Sequence, residues 1–247
     1  GVIIMIPFIK KLETFLIRFV KDTRVKDIDE PKFLNQAVLE FPGTVISSLE
    51  KETKYLFENA IYEIVAHSVN IHRSQIESEL GSKNVIDKSR ADFDINVRDL
   101  YVHKVKTIYG KILEYATIAQ TDLNLSKEQN KRISQIKIAN RKMVEIIRDM
   151  KELRRNIIQY ANSDNEYIKN EYNNFRRMIV KVIRAINKFK EGENKESSYK
   201  ELMEMRRTTK IILKEGNRTI NNLIRKNLIT NDMASSLVND QQNVNDM

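Results

Sequence analysis

The chain has 247 residues, a net charge of +9 from 43 Lys and Arg against 34 Asp and Glu, and only 6 Gly and 3 Pro. So few turn residues and helix breakers exclude a many-turned β protein and point to long helices with few connections. With no cysteine at all, disulfides, thiolate zinc sites and cysteine nucleophiles are excluded as well.

No stretch reaches the roughly 18 apolar residues of a membrane span. The nearest, residues 2–9, is followed at once by Lys10 and Lys11, the reverse of the order in a signal peptide. It reads either as an amphipathic first helix or as the end of a transmembrane helix. In the second case Lys10, Lys11, Arg18, Lys21, Arg24 and Lys26 form a positive-inside flank. Residues 8–20 then place Phe8, Leu12, Phe15, Leu16 and Phe19 on one helical face. A charged connector with Pro31 follows, carrying apolar Phe33, Leu34, Val38 and Leu39.

Pro42-Gly43 opens the first long helix, expected over residues 44–80, with Val45, Leu49, Leu56, Ala60, Ile64 and Val69 as its apolar stripe. Gly81 closes it, and residues up to Phe93 read as a loop. The second helix, 95–123, repeats Tyr101, Val105, Ile108, Ile112, Tyr115 and Ala119 in steps of four and three. After a tight connection the third helix opens on a capping box, Ser126 to Gln129. Its seam is Ile136, Ala139, Met143, Ile146, Met150, Leu153, Ile157 and Tyr160. Ser163 to Glu166 is a second capping box, opening a helix with Ile168, Tyr172, Phe175, Ile179, Val182, Ile186 and Phe189 on one side and Gly192 at its end. Ser198 to Glu201 is a third, opening a helix with the seam Leu202, Met205, Thr209, Ile212, Gly216, Ile220 and Leu223. A turn at Asn227 to Thr230 leads to a short last helix with Met233, Leu237 and Val244.

The expected fold is all-α: an antiparallel helical bundle made of two successive three-helix bundles behind a short leading amphipathic helix. The expected division is a juxtamembrane or amphipathic helix at 1–21, a connector at 22–42, a first bundle at 43–162 and a second, incomplete bundle at 163–247. A continuous coiled-coil array is the alternative, against which the breaks at Gly81 and Gly192 argue. Charges of both signs interleave along most of the chain, as on solvated helix faces. There is no Trp and no Gly-rich or aromatic RNA-binding signature, so nucleic acid is not the expected partner.

Few residues suggest chemistry. His67 and His72 lie near Glu63 and Glu77, and Glu63 shares a face with His67, but a metal site needs three or four ligands. His103, beside Tyr101, reads as structural. Glu145 and Asp149 stand four apart on one helical face, where oxygen ligands suit a hard cation. The competing reading is an exposed acidic pair opposed by Arg141 and Arg148. No Gly-rich phosphate loop, nucleophile elbow or H-E-x-x-H is present, so an enzyme is not expected and no catalytic residue is assigned.

Three stretches carry a family resemblance. Ile6-Pro7-Phe8 with Leu12-Glu13, then Pro31-Lys32-Phe33-Leu34 and Phe41-Pro42 before Glu50, make the first. Tyr115-Ala116, Ala119-Gln120, Leu125-Ser126, Glu128-Gln129 and the run from Ile146 to Asn156 make the second. Ile229-Thr230 with Met233 to Leu237 and Asp240 makes the third. Together they resemble the membrane-to-cytoplasm junction and C-terminal PhoU-like domain of bacterial sodium/phosphate cotransporter family proteins. The resemblance implies a regulatory or assembly module at the cytoplasmic face of the bacterial plasma membrane. Its partners would be the membrane transporter domain of the same polypeptide, a second copy in a homodimer, or a signalling protein. The family's sodium and phosphate sites lie in membrane repeats absent here, so no transport residue is carried over. PhoU-like proteins also place acidic motifs on the third helix of each bundle, where a divalent or ferric metal binds. Glu145 and Asp149 match one copy, whereas Asp240 with Ser236 four before it does not complete the other. Two alternatives stand beside this: a soluble PhoU-like metal-binding regulator of phosphate uptake signalling, and a basic helical scaffold for anionic lipid or nucleic acid.

Overall fold

A computed structural model describes residues 29–78, 81–88, 95–191 and 194–246. The expected leading helix at 1–21 and the first part of the connector lie outside them, as does Gly192. The described residues are all-helical, with eight helices and no strand. After a 3-10 turn at Gln36–Glu40, helix α1 comprises Pro42–Leu56, a π-helical stretch Phe57–Ile61 and Tyr62–Ser68. Then come α2 (Arg73–Ile76), α3 (Ser82–Lys88) and α4, which comprises Val97–Leu100, a π-helical stretch Tyr101–Val105 and Lys106–Asp122. The last four are α5 (Lys127–Tyr160), α6 (Glu166–Glu191), α7 (Lys195–Arg225) and α8 (Asn231–Asp246).

Helix α1 starts with Pro42, whose missing N–H is not needed in a first turn. It stops well before residue 80. Asn70 takes a left-handed φ of 57°, its N–H donates to the His67 carbonyl, and the Ile71 N–H reaches back to the Ala66 carbonyl. That is a Schellman stop built on asparagine in place of glycine. Asn227, with φ 53°, ends α7 in the same way, as the expected turn there requires. The loop expected after Gly81 contains α3, which buries Val85 and Ile86.

Two of the three predicted caps shift. The Ser126–Gln129 box holds, with both reciprocal hydrogen bonds present at 3.2 and 2.9 Å. For α6 the cap is Asn165, whose side-chain Oδ1 accepts from the Tyr167 and Ile168 N–H groups, while the Ser163 hydroxyl accepts from the Asn165 N–H. For α7 the cap is Asn194, accepting from the Ser197 N–H, so Ser198 lies buried inside the helix.

The α4 and α5 helices form an antiparallel hairpin, with Lys137 reaching Thr117 and Gln120, and Gln120 reaching Ser134. Helix α1 runs along α5 in the same direction, as the pairs Glu50–Arg132 and Thr53–Asn140 show. The seam of α5 differs from expectation at two positions. Asn140 and Ile147 are buried, while Ala139 is exposed and Ile146 is only half-buried. The polar Asn140 can take the inward place because its amide donates to Thr53 Oγ1 and the Ile136 carbonyl. On α7 the seam uses Leu213, not Ile212, which is 47% exposed.

Helix α5 is long enough to serve two neighbourhoods. Its first half packs with α1 and α4; its second half meets α6 and α8 through Tyr160 stacked on Tyr172 and Asn156 bonded to Asp240. Helix α6 receives α2 and α3 on one side and α7 and α8 on others. Among the described residues the buried apolar side chains other than Ala185 form one continuous core.

Candidate functional site

Glu145 and Asp149 do share a face of α5, but each is engaged by a cation. Glu145 lies 2.7 Å from Lys142 and 3.6 Å from Arg141, and the Lys142 hydrogen bond is the main reason its carboxyl is held below its ordinary pKa. Asp149 lies 3.3 Å from Arg148. Among the described residues no three His, Asp or Glu side chains come together as a metal-binding group. The histidines are similarly committed. His67 and His72 meet edge-on with ring centroids 5.6 Å apart. Burial, then the neighbouring His72, lowers the His67 pKa. Glu63 is paired with Lys104 at 3.2 Å and Glu77 with Arg73 at 2.7 Å. His103 Nδ1 donates to the Asp99 carbonyl at 2.8 Å.

The structure converges a different set of polar groups around Asp240. Asp240, 1% exposed on α8, accepts at Oδ2 from Asn156 Nδ2 of α5 at 2.7 Å and from the Tyr172 hydroxyl of α6 at 2.8 Å. Asn243 donates to its other oxygen at 3.3 Å. Burial raises the Asp240 pKa, against the pull of these three donors and of Arg155. Burial also raises that of Tyr172, and the Asp240 charge adds to it. Four side chains from three helices thus form a satisfied network that fixes where the last helix docks.

Helix α6 carries two inward arginines eight residues apart. Arg176 donates through Nε to the Val69 carbonyl at 2.9 Å, and also reaches the Asn70 carbonyl and the Asn173 side chain. Burial, with the charge of Arg177, lowers its pKa to about 10. Arg184 donates to the carbonyls of Ile76, Gln75 and Ser78 at 2.7, 3.2 and 3.0 Å. Each guanidinium therefore sits at the C-terminal end of a helix, α1 or α2, where orphan carbonyls and the helix dipole favour a cation.

Glu52 falls between Leu49 and Leu56 on the seam of the α1 stripe. It is fully buried, and its Oε2 accepts from the backbone N–H groups of Lys32 and Phe33 at 2.9 and 2.6 Å. Lys32 lies over the Tyr55 ring at 4.4 Å, and Phe33 meets that ring edge-on at 6.4 Å. The connector is thereby pinned to α1. A charged residue in an apolar stripe was the available signal, because a buried carboxylate needs donors from elsewhere in the chain.

Between α1, α5 and α6 lies an open groove of about 650 Å³, floored by Phe57, Ile136, Met143 and Ile186 and rimmed by the pair Glu50–Arg132. Lys190, which also lines it, pairs with Glu58 at 2.9 Å. Among the described residues no helix is long and apolar enough to cross a membrane. No protein-family profile, curated protein or solved structure matches the chain.

Proposed function

We propose that this chain is a regulatory or assembly module of the PhoU-like kind found in sodium-dependent phosphate transporter proteins, and that it works by helix packing and not by catalysis. In this reading α1, α4 and α5 make the first three-helix bundle and α6, α7 and α8 the second, and the parent protein carries phosphate across the membrane.

The observation that carries the reading is the pinned connector. The Pro31-Lys32-Phe33-Leu34 stretch is the part of the chain that resembles the link between membrane and bundle, and Glu52 holds two of its backbone N–H groups from inside the core. A link fastened in this way moves with α1. The interior polar groups support the same reading, since Asp240, Arg176 and Arg184 each fasten one helix to another.

The reading frame that encodes this chain is expected to carry several apolar spans of about 20 residues ahead of Gly1; a frame without them overturns the proposal. In cells producing that full-length protein, Glu52→Ala is expected to alter sodium-driven phosphate uptake at unchanged protein abundance. Unaltered uptake would remove the connector from the mechanism.

A further inference from the structure

We propose that the outer face of α7 is a docking surface for an anionic lipid bilayer. This rests on the reading above for the presence of a membrane nearby, but its test does not.

Helix α7 carries a dense run of exposed positive charge. Residues 206–226 contain Arg206, Arg207, Lys210, Lys214, Arg218, Arg225 and Lys226 against the single acid Glu215, while the whole chain has a net charge of +9. All seven cations are exposed, and none of them makes an ion pair among the described residues. The acids of the first turns differ, since Glu196 and Glu201 are already paired with Lys200 and Lys188.

Helical geometry arranges the cations in a line. Arg207, Lys214, Arg218 and Arg225 follow steps of seven, four and seven, which at 3.6 residues per turn places them within roughly 40° of one another along about 27 Å. The face they occupy lies opposite Leu213, Gly216 and Ile220, which pack toward α6 and α8. Ile211, 50% exposed, and Met203, 40% exposed, border the same line, so apolar groups stand beside the cations.

A straight row of cations on a rigid helix fits a plane of anions. Every member reaches the headgroup layer at once, and the exposed Ile211 and Met203 enter its apolar boundary. A nucleic-acid duplex fits less well. Its phosphate strands wind around the axis about once per 34 Å, so a 27 Å row meets each strand about once. The back of α7 is packed on its neighbours, and the helix cannot sink into a groove.

The test is co-sedimentation of the full chain with vesicles of phosphatidylcholine alone or with 30 mol% phosphatidylglycerol added. Binding is expected only to the anionic vesicles, and weaker as salt is raised. Each cation at an anionic surface strengthens binding by about five-fold. Arg207→Glu with Arg218→Glu is therefore expected to weaken it by about 30-fold or more, with the helical circular dichroism unchanged. Reversing two exposed cations elsewhere, Lys131→Glu with Lys151→Glu, is expected to cost far less. Equal loss in the two double variants would mean that net charge alone acts, and would overturn the assignment. So would vesicle binding that the α7 variant leaves intact, binding to neutral vesicles alone, or tighter binding to a 20-base-pair duplex than to anionic vesicles. A reading frame lacking membrane spans would sink the transporter reading and leave vesicle binding to be judged on these results.

Discussion

Helices α6 and α7 are consecutive and pack against each other, yet they use arginine in opposite ways. Helix α6 buries Ile168, Tyr172, Phe175, Ile179, Val180 and Ile183 on a broad surface because α2, α3, α5, α7 and α8 all rest on it. Its Arg176 and Arg184 point inward and close the ends of other helices. Helix α7 buries only a narrow strip around Leu213 and Ile220, and its cations from Arg206 to Arg225 face outward with no ion pair among the described residues. The same side chain is thus a structural clamp where neighbours surround it and an available surface charge where they do not. What separates the two roles is the number of elements packed around the helix.

The largest effect is expected at Arg176. Replacing it with alanine leaves the Val69 and Asn70 carbonyls without their buried donor, at a cost of about 3 kcal/mol in urea unfolding. A loss under about 1 kcal/mol would break the comparison. Asp240→Ala comes next, at about 2 kcal/mol, because Asn156 and Tyr172 lose their shared acceptor in the core. Asp240 also supplies a pH test. Its folded pKa is raised by burial, so its contribution is full below the ordinary value of 3.8 and is lost as pH rises through the raised value. Relative to Asp240→Asn, the unmodified protein should lose unfolding free energy as pH rises from 3.8. A gain would show that the three donors outweigh burial.

Arg184→Ala is expected to cost about 1–2 kcal/mol, less than at Arg176 because the site is only half-buried. It should also speed amide exchange in α2 more than in α5; equal acceleration in both would argue for global unfolding. The smallest effect belongs to α7. Arg218→Glu is expected to change stability by no more than about 0.5 kcal/mol, and a larger loss would mean that this face is also structural.

Much of the helical order is legible in the sequence. Val105, Ile108, Ile112 and Ala119 of the α4 seam, the Ser126–Gln129 box and the turn at Asn227 stand where periodicity and capping chemistry put them, while Ala116 is buried in place of the half-buried Tyr115. Several of the departures involve asparagine. Asn70, Asn140, Asn165 and Asn194 each decide a helix end or a core position. Asparagine serves left-handed stops, caps and buried seams alike, and only its partner reveals which. The candidate ligands Glu145 and Asp149 were legible as a pair on one face; the cations that engage them were visible only as neighbours on a helical surface. Glu52 and Asp240 were harder still, because all of their donors except Asn243 lie 19 to 84 residues away in the chain.

By itself the sequence determined that this protein is helical, where α1, α4, α5 and α8 begin, and which stripes are largely apolar, because these follow from local spacing and from the first and last turn of each helix. Only the tertiary structure decided that α6 is surrounded while α7 stands at the edge, and with it which arginines hold the fold and which remain free to meet a partner. That choice depends on how many helices converge on a given face, and no local pattern encodes it.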